Sequence, residues 1–161
     1  MMSRRSSILP GRSRGAAAVE LAMLTLPLIL MALAAVEFAR AMFEYHVLVK
    51  STRDAVRLLS GFDPATPSEY PSALAINRVV YGQDVVGTPL LPSLTTSMVR
   101  ICHEISSTGC TGAFANINTG SSTVNIVRVQ VENYQFRPLF GANIIPQITF
   151  GPIGTTMMAV R

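Results

Sequence analysis

The sequence predicts an α+β protein built on one long N-terminal helix, half embedded in a membrane and half laid on a small antiparallel sheet. Three observations carry the prediction. Residues 16–36 form an apolar run with a single charge, Glu20. An apolar stripe at helical spacing continues it as far as Leu59. The last third of the chain then changes to short β-branched runs separated by Gly, Pro, Ser and Asn.

The first element is a membrane span over 16–37, because about 20 apolar residues cover the hydrocarbon core of a bilayer. Pro27 falls inside it and removes one backbone donor, a break that membrane helices tolerate when neighbouring groups re-satisfy the freed carbonyl. Ahead of the span lies a basic leader, residues 1–15, with Arg4, Arg5, Arg12 and Arg14 and no acid. Without those four arginines, nine of the thirteen basic residues remain against nine acidic ones, so the rest of the chain is formally neutral and the basic character belongs to the leader. A nucleic-acid surface would need Lys and Arg spread over the folded part, and this distribution argues against one.

Arg40, Lys50, Arg53 and Arg57 follow the span, so a plain count of flanking charges does not orient it. The undiluted leader charges and a cysteine pair on the far side both favour a cytoplasmic N-terminus and an extracytoplasmic C-terminal part. Cys102 and Cys110, the two cysteines in the chain, are separated by a Ser, Thr and Gly-containing stretch, which suits a local disulfide in an oxidising compartment. A cleaved secretory signal is the alternative, since Ala32-Leu33-Ala34 offers a small-x-small site. Such signals have an apolar core of only about 7 to 15 residues, shorter than this run.

The junction Arg12-Ser13-Arg14-Gly15-Ala16-Ala17-Ala18-Val19-Glu20 carries the most specific information. A carboxylate near the centre of a bilayer costs about 2.5–3.5 kcal/mol on insertion scales, so it persists where it is partnered or useful. The bland reading places Glu20 at the interface, near the positive end of the helix dipole. Taken together, the basic leader, Gly15 and the apolar run resemble the processing site of type IV prepilins. That resemblance implies cleavage after Gly15 by a membrane-embedded prepilin peptidase, N-methylation of the new first residue Ala16, and a neighbouring subunit's α-amino group as the partner of Glu20.

The wider stretch RGAAAVELAMLTLPLILMALAAVEFARAMFEYHVLV is most similar to the TadE-like subgroup of pseudopilins, which serve the tight-adherence (Flp) pilus and secretion machinery. Its Leu26-Pro27 and Glu37-Phe38-Ala39-Arg40 share in that similarity, as do VNIVRVQVENYQFRPLF and the closing MMAVR; nothing between about 61 and 96 does. The resemblance implies a pilin-like fold and a minor subunit of the inner membrane whose C-terminal domain is periplasmic. The implied partners are the peptidase, other pilins and pseudopilins, or pilus-assembly proteins; no cofactor, nucleic acid or small-molecule substrate is expected.

Beyond the span, the extracytoplasmic part is expected to cover residues 38–161. Phe38, Met42, Tyr45, Val49, Val56 and Leu59 predict a helix over 38–60 with one apolar stripe, interrupted at Thr52. Glu44, Lys50, Arg53, Asp54 and Arg57 fall on its polar side, and Gly61 and Pro64 stop it. Pro64, Pro67 and Pro71 mark a linker, after which 71–81 reads as a short helix with proline at its start and Gly82 after its end. Strands are expected over 97–105, 123–136 and 147–160, the first with Val99, Ile101, His103 and Ile105 on one side. Residues 106–122 read as a loop, whose start a Cys102–Cys110 bridge would staple to its strand.

Cys102, His103, Glu104 and Cys110 lack the paired spacing of a zinc site, and no metal is expected. His46 has no Ser, Cys or carboxylate at a spacing that builds a nucleophilic centre. Phosphate loops, His-Glu-x-x-His and glycine-flanked nucleophiles are absent from the sequence, so a structural role is expected, not an enzyme. Two other readings stay open: a membrane-anchored periplasmic binding or sensing module that is never processed, and a soluble domain released after Ala34.

Overall fold

Helix α1 runs Ser13–Leu59 and is followed by α2, Ser72–Tyr81, in a computed structural model that describes residues 13–140 and 147–159. The strands are β1 Val99–Cys102, β2 Ile117–Asn118, β3 Thr123–Val131, β4 Gln135–Phe136, β5 Ile148–Thr149 and β6 Ile153–Ala159. This is the expected α+β class, a long apolar helix with a small antiparallel sheet. The chain divides into two units, one ending at Ala39 and one beginning at Arg40.

In the first unit nearly every described side chain from Gly15 to Ala39 is exposed, including Leu21, Leu24, Leu28 and Met31. α1 is the one helix among the described residues long and apolar enough to cross a membrane. Leu and Ala dominate the run and favour a helix, and Pro27 is carried inside it. The Thr25 hydroxyl donates to the Leu21 carbonyl at 2.7 Å, so it presents no unmet donor to apolar surroundings.

In the second unit β3 is the centre of the sheet. It pairs antiparallel with β1 and β2 along one edge and with β6 along the other. Its alternation turns Val127, Val129 and Val131 into a core shared with Leu48, Ala55, Val56 and Leu59 of α1 and Ala75, Val79 and Val80 of α2. α2 starts just after Pro71. It ends at Gly82, whose φ of 69° lets its N–H reach back to the Arg78 carbonyl. β4 and β5 form a separate two-stranded ribbon.

The buried stripe of α1 differs from the expected one. Phe38, Met42 and Tyr45 are exposed, and Val49 is only partly buried. The covered face is instead Glu44, Leu48, Ser51, Thr52, Ala55, Val56 and Leu59. Thr52, expected as an interruption, is fully buried: its hydroxyl meets the Val49 carbonyl at 3.0 Å and the Thr155 hydroxyl at 3.3 Å. Polar groups can occupy this face because each finds a hydrogen-bond partner there.

Each expected strand is also shorter or divided. Residues 96–98 form a single 3-10 turn before β1, and β1 stops at Cys102, leaving Ile105 exposed. The expected strand over 123–136 breaks at Asn133, whose φ of 57° turns the chain between β3 and β4. Gly151 and Pro152 divide the third into β5 and β6, proline having no N–H for a ladder. The expected loop 106–122 contains β2, which pairs with the first two residues of β3.

Candidate functional site

Gly15, Ala16 and Glu20 lie in the first turns of α1, and all three are exposed. A Cβ added at Gly15 would meet nothing within 4 Å, so neither packing nor a left-handed backbone accounts for glycine there. Four residues separate Ala16 from Glu20, about one turn or 6 Å of rise, which puts both on one face. Among the described residues the Glu20 carboxylate forms no ion pair or hydrogen bond. Arg4, Arg5 and Arg12 lie outside the described residues.

Cys102 and Cys110 are joined in a disulfide, with their Cα atoms 6.2 Å apart. Cys102 is fully buried at the end of β1, and Cys110 sits in the loop that follows. Two arginines of the sheet hold the same loop: Arg100 donates to the Thr108 carbonyl at 3.5 Å and Arg128 to that of Thr111 at 3.1 Å. Arg128 also lies over the Phe114 ring, 5.5 Å from its centroid. The bridge therefore fastens a polar loop over the side of the sheet that faces away from α1.

The four groups that might suggest a metal are each engaged otherwise. Both cysteines are in the disulfide, the Asn125 amide donates to Glu104, and His103 Nδ1 accepts from the N–H groups of Ile105 and Ser106. Burial lowers the His103 pKa below its ordinary value, with the Glu104 charge opposing, which keeps the ring neutral as that acceptor role requires. His46 is exposed, its ring edge-on to Tyr45.

A constellation that the local pattern did not signal joins residues 90 positions apart. The Tyr134 hydroxyl donates to Glu44 Oε2 at 2.7 Å inside the core, while Arg40 Nη2 stands 3.5 Å from the other carboxylate oxygen. The Arg40 guanidinium lies over the Phe136 ring at 5.5 Å, and Phe150 packs on Tyr45, Tyr134 and Phe136. Burial, followed by the Glu44 hydrogen bond and charge, pushes the Tyr134 hydroxyl far above the usual phenol range. The only sequence signal for this group was the likeness of Glu37-Phe38-Ala39-Arg40 and of the NYQF segment to one family.

A groove of about 950 Å³ opens between the 47–58 stretch of α1 and the turn after α2. It is lined by Lys50, Asp54 and Arg57 and by the exposed Arg78–Asp84 ion pair. That pair holds the Asp84 carboxyl below its ordinary pKa. The charges alternate in sign along the groove and give it no single polarity.

These features define a class: among the described residues, one helix long and apolar enough to span a membrane, continuing into a disulfide-stapled α+β domain. Residues 15–57 match the model of the TadE-like protein family, which bears out the resemblance drawn from the sequence and begins at the glycine of the junction. No curated protein and no solved structure matches the chain.

Proposed function

We propose that the chain is a minor pseudopilin with a structural role in assembling a tight-adherence (Flp) pilus or secretion apparatus, not an enzyme. The observation that carries this reading is the family match starting at Gly15, on a helix whose apolar surface is exposed at nearly every position of 16–36. In this reading the leader is removed after Gly15 by a prepilin peptidase of the inner membrane. The N-terminus faces the cytoplasm, and the disulfide-containing domain lies in the periplasm, where the bridge is stable.

The chemistry follows from the spacing. Cleavage creates an α-amino group at Ala16, and Glu20 lies one turn further along the same face. In hydrocarbon, two such charges cost much less as a pair than either does alone. Amine and carboxylate of adjacent subunits would neutralise each other and set their axial register. Other pilins and pseudopilins are the partners this implies.

Complementation of cells lacking the chain tests the role. Glu20→Ala should leave the protein in the membrane yet abolish pilus assembly, and Glu20→Asp should restore part of it. Full assembly with Glu20→Ala would contradict the reading and favour an anchored binding module instead.

A further inference from the structure

The β4–β5 ribbon has a direction set by its partners on α1. Tyr134 binds Glu44, and two residues later Phe136 lies under Arg40, one helical turn earlier. Two strand residues advance about 6.6 Å and four helical residues about 6 Å, so the steps match and β4 runs antiparallel to α1. Arg137 and Leu139, just after β4, line a small pocket with Arg40, Glu44 and Tyr134, which places them near the end of the second unit where residue 40 enters it. Ile148 of β5 is paired with Phe136 at the same level.

The side chains at that end are apolar and exposed. Leu139, Phe140 and Ile148 are 67%, 46% and 47% exposed, Phe43 of α1 is 65% exposed, and Arg137 is exposed beside them. Aromatic and aliphatic groups with an interspersed arginine are the composition of a bilayer interface. Arg40 follows Val36, the last residue of the apolar run, by four residues of chain, which reach at most about 14 Å. A headgroup region of about 5–7 Å on each side of the hydrocarbon core lies within that reach.

We propose that Phe43, Arg137, Leu139, Phe140 and Ile148 form a foot that rests in the headgroup region of the membrane through which the apolar run passes. The foot seats the domain on the bilayer, with the aromatic and aliphatic groups in the interface and Arg137 at the phosphates. It rests on the reading that residues 16–36 span the bilayer, but not on processing at Gly15.

The chain contains no tryptophan, so single tryptophans report position without background. Phe140→Trp, Leu28→Trp within the apolar run and Phe62→Trp beyond the end of α1 are reconstituted as full chains in phosphatidylcholine–phosphatidylglycerol vesicles. Emission is compared with and without lipids brominated on the upper acyl chain. The foot predicts blue-shifted emission and loss of intensity for Phe140→Trp, shared with Leu28→Trp and absent for Phe62→Trp. Leu139→Trp repeats the measurement should Phe140→Trp fail to form the disulfide.

Quenching of Leu28→Trp alone, with red emission from residue 140, would overturn the foot and leave the span standing. Blue-shifted but unquenched emission at 140 would overturn it in favour of a protein partner, such as a second copy of this chain. Equal quenching at 62 would mean that the whole domain adsorbs and would overturn it as well. No quenching at 28 would remove the span and the foot together.

Discussion

Two glutamates in one helix, Glu20 and Glu44, live under opposite rules. Around Glu20 the apolar side chains face outward and the carboxylate is the exception on an exposed surface. Around Glu44 the side chains Met42, Phe43 and Tyr45 are still exposed, but the carboxylate itself sits in the core, satisfied by Tyr134 and Arg40. The same backbone serves both, so it is the surroundings that differ: the first segment expects lipid, while the second carries its own sheet to pack against. A carboxylate is affordable in either place only with a partner. In the second unit that partner is built into the chain; in the first, the proposed partner comes from another subunit.

Matched substitutions on either side of Arg40 should show the contrast most strongly. Leu48 is fully buried, and Leu48→Ala should lower the unfolding free energy of the domain by about 2–5 kcal/mol in a denaturant titration. Leu28→Ala, at an exposed position, should leave the same transition where it is. Equal losses would show that the two units unfold as one.

Tyr134→Phe is expected to come next, at about 1–3 kcal/mol, because it strips a hydrogen-bond donor from a buried carboxylate while leaving the ring in place. Adding Glu44→Gln should recover part of the loss, since an amide tolerates burial better than a charge. Thr52→Val keeps the volume but removes the contacts with Val49 and Thr155, and about 1 kcal/mol is expected.

The smallest effect is a pH dependence. His103 has a folded pKa below its ordinary 6.5, so the unfolded chain takes up a proton first. Its contribution is fully present above about 6.5 and is lost as pH falls from there toward the folded value. Melting curves at pH 7.5 and pH 5.5 should differ for the native chain and differ less for His103→Gln. An unchanged difference would assign the slope to other groups.

The sequence was most legible where one physical signal acts locally. An apolar run of bilayer length, a proline before and a glycine after a ten-residue helix, and two cysteines across a polar loop can each be read without knowing the fold. It was least legible where the deciding partner is remote. Counting apolar spacing puts Glu44 on the polar face because it cannot see a tyrosine 90 residues later. Thr52 reads as an interruption for the same reason, Thr155 being 103 residues away. Strand ends were overestimated because a β-branched pattern continues through Asn133 and across Gly151-Pro152, where backbone geometry ends the ladder. At the junction, Gly15 and Glu20 are legible as a pattern, and the chemistry proposed for them depends on a peptidase and a neighbour outside this chain.

In the proposed reading the chain is cut at that junction and keeps its apolar helix. Intact mass and N-terminal sequencing of the membrane-bound protein, expressed with and without a prepilin peptidase, test it most directly. The account predicts a chain beginning at Ala16 only when the peptidase is present; an uncut Met1 in both cases, or a start at Ala35, would contradict it.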